Sequence, residues 1–177
     1  MAIPAGDIDE AWGYTVRYDA AKAGLRVYAT AAFGVVLITA GFLKGSELLI
    51  ALGLGGLGVA YYFYPLAEAK RARLGANEYG IFIEGFGLVG WRSIRKVDLV
   101  STFVRNIENR ELLIQLNQPV SRALLVDWRR MAFYRMLMRL PWTISGDNTI
   151  HVLLEPFAEP PQAIHRRLES MWRHYRA

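Results

Sequence analysis

Residues 27–43 and 48–67 contain no formally charged side chain, whereas from residue 76 onward apolar and polar positions alternate over short runs. The pattern predicts two kinds of structure in one chain. A bilayer core about 30 Å thick needs ~20 helical residues at 1.5 Å each, within a range of about 17–25. At 17 and 20 residues both stretches qualify as membrane-crossing helices, the first at the short limit. Between them Lys44-Gly45-Ser46-Glu47 is a bare turn, so the two form a hairpin. The alternative is a buried helical hairpin in a soluble domain, since both stretches are rich in Gly and Ala. Against it stand the missing polar stripe and the run Tyr61-Tyr62-Phe63-Tyr64 ahead of Lys70, Arg71 and Arg73, the composition of a membrane interface. A cleavable signal peptide fits poorly, because residues 1–26 carry Asp7, Asp9, Glu10 and Asp19.

The basic residues give the hairpin a direction. Arg17, Lys22 and Arg26 precede it, Lys44 alone lies in the turn, and Lys70, Arg71 and Arg73 follow. The positive-inside rule then places both termini in the cytoplasm. Within the second stretch Ala51 and Gly55 are four residues apart, as are Gly56 and Ala60, with Gly53 and Gly58 beside them. Such rows let helix backbones approach closely in lipid, either between the two helices of the hairpin or against another subunit. Neither stretch holds Asp, Glu, Lys, Arg or His, so no proton relay or ion path is expected and a transporter is not the reading.

In the remainder, residues 79–84 and 88–92 read as strands joined by Gly85-Phe86-Gly87. Residues 97–105 and 111–117 make a second pair around a turn at Asn106-Ile107-Glu108-Asn109. Leu112, Ile114 and Leu116 alternate with Glu111, Gln115 and Asn117, the mark of a half-buried antiparallel strand. Residues 149–154 form a further strand. Residues 160–175 read as a helix with Ile164, Leu168, Met171, Trp172 and Tyr175 on one face, starting at prolines that suit a first turn. Trp91, alternating with Val89, is expected to face the interior and this last helix.

Strands closed by one amphipathic helix give an α+β domain, an antiparallel sheet with a helix over one end. The run Tyr79-Gly80-Ile81, then Gly90-Trp91-Arg92-Ser93-Ile94, then Leu112, Ile114, Leu116 and Asn117, behind a two-helix hairpin, resembles bacterial membrane-anchored proteins with a pleckstrin-homology-like domain. The resemblance implies a strongly bent antiparallel sheet or open barrel with a C-terminal amphipathic helix, in a multi-pass protein of the bacterial inner membrane. The expected organisation is a cytoplasmic segment 1–26, a transmembrane hairpin 27–67 and a cytoplasmic domain 68–177, with a helical insertion at about 127–140.

That insertion departs from the compact pattern. Trp128, Met131, Phe133, Tyr134, Met136 and Met138 cover nearly all directions of a helical wheel, and Arg129, Arg130, Arg135 and Arg139 are interspersed among them. Packing on the chain's own sheet, docking on a partner protein and lying on a lipid surface all remain open; Met, aromatic and Arg side chains suit the latter two.

Composition narrows the chemistry. The chain is 53% hydrophobic and 21% charged, against roughly 45–50% and 25% in ordinary soluble domains, and the excess sits in the two apolar stretches. Disorder is thereby excluded. With no cysteine there is no disulfide, thiol nucleophile, iron–sulfur cluster or zinc–thiolate site, which leaves three histidines for any metal. His165 and His174 are nine residues apart on one helix, half a turn out of phase, and His151 reads as an ordinary strand residue. No nucleophile elbow, phosphate-binding loop or zinc-protease helix occurs, and the acidic residues are scattered. No catalytic, cofactor-binding or metal-binding residue is therefore expected.

The formal charge of +5 comes from 17 Arg and 4 Lys, a balance suited to phosphate or lipid headgroups. Residues 76–177 carry 14 Lys/Arg against 10 Asp/Glu, a net +4 spread without an RNA-binding signature, so nucleic acid is not an expected partner. The leading expectation is a non-catalytic integral membrane interaction protein, an accessory or assembly subunit that docks on another membrane protein. The alternative is a membrane-tethered sensor reading anionic headgroups through Arg92, Arg95, Lys96, Arg129 and Arg130.

Overall fold

Helix α1 covers Ala20–Lys44 and helix α2 covers Glu47–Ala67. The computed structural model describes residues 13–68, 71–104, 107–127, 129, 137–146 and 148–176, and the chain forms two units, the helix hairpin and a sheet unit. Within the hairpin, Val27–Lys44 and Glu47–Ala67 are apolar over 18 and 21 residues. At 1.5 Å per residue these reach about 27 and 31 Å, the thickness of a bilayer core. Two bonds close the turn between them: the Ser46 N–H donates to the Gly41 carbonyl at 2.9 Å and the Gly45 N–H to Phe42 at 3.4 Å. This is a Schellman ending, and Gly45 takes the left-handed conformation it requires, with φ 63°.

The helices pack through glycine. Val27, Gly34 and Gly41 lie seven residues apart on α1 and are buried, as are Gly53 and Ala60, also seven apart, on α2. A Cβ placed on Gly53 would sit 2.7 Å from the Gly34 carbonyl oxygen, and one on Gly41 would sit 2.9 Å from the Ile50 nitrogen. The backbones are therefore in direct contact, with the seven-residue repeat of a supercoiled pair. Thr39 satisfies its hydroxyl locally by donating to the Val35 carbonyl at 2.9 Å.

Among the described residues the sheet unit has nine strands: β1 Tyr14–Arg17, β2 Ala72–Ala76, β3 Gly80–Ile83, β4 Gly87–Gly90, β5 Ile94–Val104, β6 Ile107–Leu116, β7 Leu124–Asp127, β8 Trp142–Ser145 and β9 Thr149–Leu153. A one-turn helix α3 spans Val120–Ala123, and helix α4 spans Pro161–Tyr175. The strands form two antiparallel sheets, ordered β1-β2-β3-β4-β7 and β5-β6-β9-β8, and neither closes into a barrel. The class is α+β, with the strands divided between two sheets that are not closed into a barrel. The cause lies at Trp91–Ser93, a turn of 3-10 helix where the expected strand 88–92 would have continued. It ends β4 at Gly90 and starts β5 at Ile94, so the chain leaves one sheet and enters the other.

Trp91 points inward as expected. It is 3% exposed, its indole N–H donates to the Asn77 carbonyl at 2.8 Å, and its ring stacks on Tyr175 of α4 at 6.1 Å and 17°. Helix α4 buries Ile164, Leu168 and Trp172 at four-residue intervals and lies against β5 and β6, where the Trp172 indole N–H donates to the Ile94 carbonyl at 3.1 Å. Leu74, Ile81, Ile83, Phe86, Leu112, Ile114 and Ile150 fill the core with them. In the long hairpin Val104 pairs with Ile107, so the strands run further than the turn expected at 106–109.

Candidate functional site

The surface that sets this chain apart is the outside of the helix hairpin. Phe33, Val36, Phe42, Leu43, Leu48, Leu52 and Leu54 are all exposed on it. The small residues of α2 divide between its two sides. Ala60 is buried, and a Cβ on Gly56 would meet the Gly34 Cα at 3.4 Å, so these two belong to the seam. Ala51 is exposed, and around Gly55 and Gly58 no atom lies within 4 Å of a Cβ position, so these face outward. The seam's other half, Gly34 and Gly41, escaped the sequence reading, although their seven-residue spacing from Val27 was a usable signal.

The C-terminal end of α2 is aromatic. Tyr61, Tyr62 and Tyr64 are exposed, and Phe63 meets the Tyr62 ring edge-on at 5.0 Å. Pro65 lies in the last turn. The Arg139 N–H donates to the Tyr62 carbonyl at 2.9 Å and its guanidinium lies 5.6 Å from the Phe63 ring centroid. A cation over an aromatic ring at a helix end, with tyrosines around it, is an arrangement that serves equally in water and at a headgroup layer.

This chain matches no family model, no curated protein and no solved structure.

Of the segment expected to dock, Trp128, Arg130, Met131, Phe133, Tyr134 and Met136 lie outside the described residues. Arg129 and Met138 lie within them. Arg129 folds back on Asp127 at the end of β7: its N–H donates to Oδ1 at 2.9 Å and its guanidinium bonds both carboxylate oxygens at 3.0 and 2.7 Å. That contact raises the guanidinium pKa above its ordinary value. The same guanidinium lies 5.9 Å from the Phe86 ring centroid. Leu137 and Met138 form a turn and bend ahead of Arg139, with Leu137 exposed and Met138 half-buried.

The expected headgroup-reading cations are similarly divided. Arg92 and Arg95 are exposed, but the Lys96 ammonium donates to Asp98 Oδ2 at 2.6 Å and holds that carboxyl below the usual range. Lys96 and Arg129 are thus committed to carboxylates of their own chain. His151 Nδ1 lies 2.9 Å from Glu111 Oε2 across neighbouring strands, and His165 Nε2 lies 3.4 Å from the Val97 carbonyl. Among the described residues no three His, Cys, Asp or Glu side chains gather as a metal site would require. One arrangement had no signal in the sequence: Arg73, buried in β2, pairs with Glu84, whose backbone carbonyl accepts the Trp142 indole N–H at 3.1 Å.

Proposed function

We propose that this chain is a non-catalytic integral membrane interaction protein of the bacterial cytoplasmic membrane. The hairpin is embedded as two spans, both termini face the cytoplasm, and the sheet unit is a pleckstrin-homology-like module held at the bilayer. Its role is that of an accessory or assembly subunit bound to another integral membrane protein. The carrying observation is the arrangement of the hairpin, which buries glycine and alanine at its seam and leaves large apolar side chains outside. In water that arrangement would expose a broad apolar surface, and such surfaces mark membrane or protein contacts. In lipid it is the economical one, because helices associate there through close backbone packing and not through apolar burial.

Ala51, Gly55 and Gly58 are the positions where a second protein's helix can come equally close. The pleckstrin-homology-like reading is supported by strands that mostly pair with their sequence neighbours and by the closing helix α4 against β5 and β6.

Native sizing after mild-detergent extraction tests the role. The wild type should run as a stoichiometric larger complex, and a Gly55→Leu/Gly58→Leu variant as a free protomer with an intact fold. A wild type that already runs as a free protomer rejects the accessory-subunit reading. Sidedness is tested separately with single cysteines, since the chain has none. In intact cells a Ser46→Cys chain should react with an impermeant maleimide added outside and an Ala158→Cys chain should not; the reverse result overturns the proposed topology.

A further inference from the structure

Strand β1 and helix α4 together line a groove that plays no part in the reading above. It is an open groove of about 610 Å³, lined by Tyr14, Glu159, Ala163, Arg166, Arg167 and Ser170, with the two arginines and Ser170 exposed. Positions 163, 166, 167 and 170 follow the three- and four-residue spacing of one helix face, so this is the side of α4 opposite its buried Ile164–Leu168–Trp172 stripe. The small residues Ala163 and Ser170 leave the space, and two arginines stand between them. The Tyr14 hydroxyl donates to Glu159 Oε2 at 2.8 Å, and the Arg167 guanidinium lies 5.8 Å from the Tyr14 ring centroid. Burial and the Glu159 carboxylate hold the Tyr14 hydroxyl protonated well beyond the ordinary range, so it remains a donor at any physiological pH.

The charges select a ligand class. Among the described residues neither Arg166 nor Arg167 has a carboxylate within ion-pair distance, unlike Arg73, Lys96, Arg129 and Arg173. Two guanidinium forks and the Ser170 hydroxyl present more donors than a two-oxygen carboxylate accepts, and they match a tetrahedral phosphate. At the other end, Glu159 receives one bond from Tyr14 and keeps acceptor capacity on its carboxylate. It would repel a second anion and accept a hydroxyl. The volume falls within the range of small-molecule sites, roughly 300–1,000 Å³.

We infer that the groove between β1 and α4 binds a phosphorylated polyol, with the phosphate on Arg166, Arg167 and Ser170 and a hydroxyl on Glu159. Free glycerol phosphate and the phosphatidylglycerol headgroup share that chemistry, and the experiment separates them.

The full chain, reconstituted in phosphatidylcholine nanodiscs at low ionic strength, is titrated calorimetrically with glycerol 3-phosphate and with inorganic phosphate. Parallel nanodiscs contain phosphatidylglycerol. Glycerol 3-phosphate should bind more tightly than inorganic phosphate, and Glu159→Gln should abolish that preference while leaving phosphate binding in place. Arg166→Ala/Arg167→Ala should weaken binding by about ten- to a hundredfold, the scale of lost charge-assisted hydrogen bonds. Arg95→Ala, which removes an exposed arginine elsewhere, should leave it unchanged. If phosphatidylglycerol in the disc suppresses the titration in the wild type, the ligand is the headgroup; if it does not, the ligand is the soluble ester. Absence of any binding, or equal losses in the Arg95→Ala and Arg166→Ala/Arg167→Ala chains with their tryptophan fluorescence unchanged, overturns the inference.

Discussion

The two units of this chain are packed by opposite rules. In the sheet unit the large apolar side chains are inside: Phe86, Leu74, Ile81, Ile83, Leu112, Ile114 and Leu168 are fully buried, and the buried charge of Arg73 is paired with Glu84. In the hairpin the inside is held by Gly34, Gly41, Gly53 and Ala60 together with Val27, and Phe33, Val36, Phe42, Leu43 and Leu54 are out. Water drives large apolar groups together and so selects the first arrangement. Hydrocarbon gives them no reason to leave the surface, so contact between helices falls to residues small enough to let backbones touch. The inversion within one sequence of 177 residues is what supports the proposed placement of the hairpin in lipid.

The comparison can be broken most forcefully at Trp91. A buried tryptophan in a water-solvated core typically loses about 3–5 kcal/mol on truncation. Trp91→Ala should therefore lower the stability of the sheet unit by that amount, read from denaturant unfolding in mild detergent. A parent-like midpoint would mean that this core is not packed as described.

In the hairpin, adding volume should be the damaging change. Gly53→Leu places a Cβ 2.7 Å from the Gly34 carbonyl oxygen and should cost about 1–3 kcal/mol by overpacking, whereas Gly55→Leu meets nothing and should leave hairpin stability unchanged. Thermal unfolding of both variants in detergent separates them, and equal effects would deny the seam. Arg139→Ala removes the cation over Phe63, a contact of roughly 0.5–2 kcal/mol. Faster hydrogen exchange at the amides of residues 137–139 is the expected outcome; unchanged exchange would show that the carbonyl of Tyr62 alone holds that segment.

The smallest effect belongs to Lys96 and Asp98, both more than a third exposed. Because the folded Asp98 pKa is depressed, its contribution is present at neutral pH and is lost as pH falls through the acid range below 3.8. As an exposed pair it should be worth only a few tenths of a kcal/mol. Lys96→Met should return the Asp98 titration towards 3.8 by NMR, with almost no change in melting temperature.

What could be read in advance followed from charge and period. The hairpin was legible because charge is missing over two long stretches, and α4 because Ile164, Leu168 and Trp172 keep helical spacing. Strand β2 was not legible: its residues, Ala-Arg-Leu-Gly-Ala, are buried on both faces, so no alternation appears, and Arg73 is admitted by a partner eleven positions away. The groove was invisible for a similar reason, since Tyr14 and Glu159 are 145 positions apart and only the fold joins them. Trp91 was placed correctly even though its backbone is a 3-10 turn, because burial of an indole depends on its partners more than on the local helix or strand.

The central claim is that the hairpin's exposed face is solvated by lipid, and one pair of positions tests it directly. Leu54 in α2 and Leu125 in β7 are each 59% exposed, so in water their cysteine variants should react alike. In intact membranes, with both sides made accessible to a water-soluble maleimide, Leu125→Cys should label readily and Leu54→Cys should stay unlabelled until detergent and denaturant are added. Labelling of Leu54→Cys at the rate of Leu125→Cys in intact membranes would contradict it.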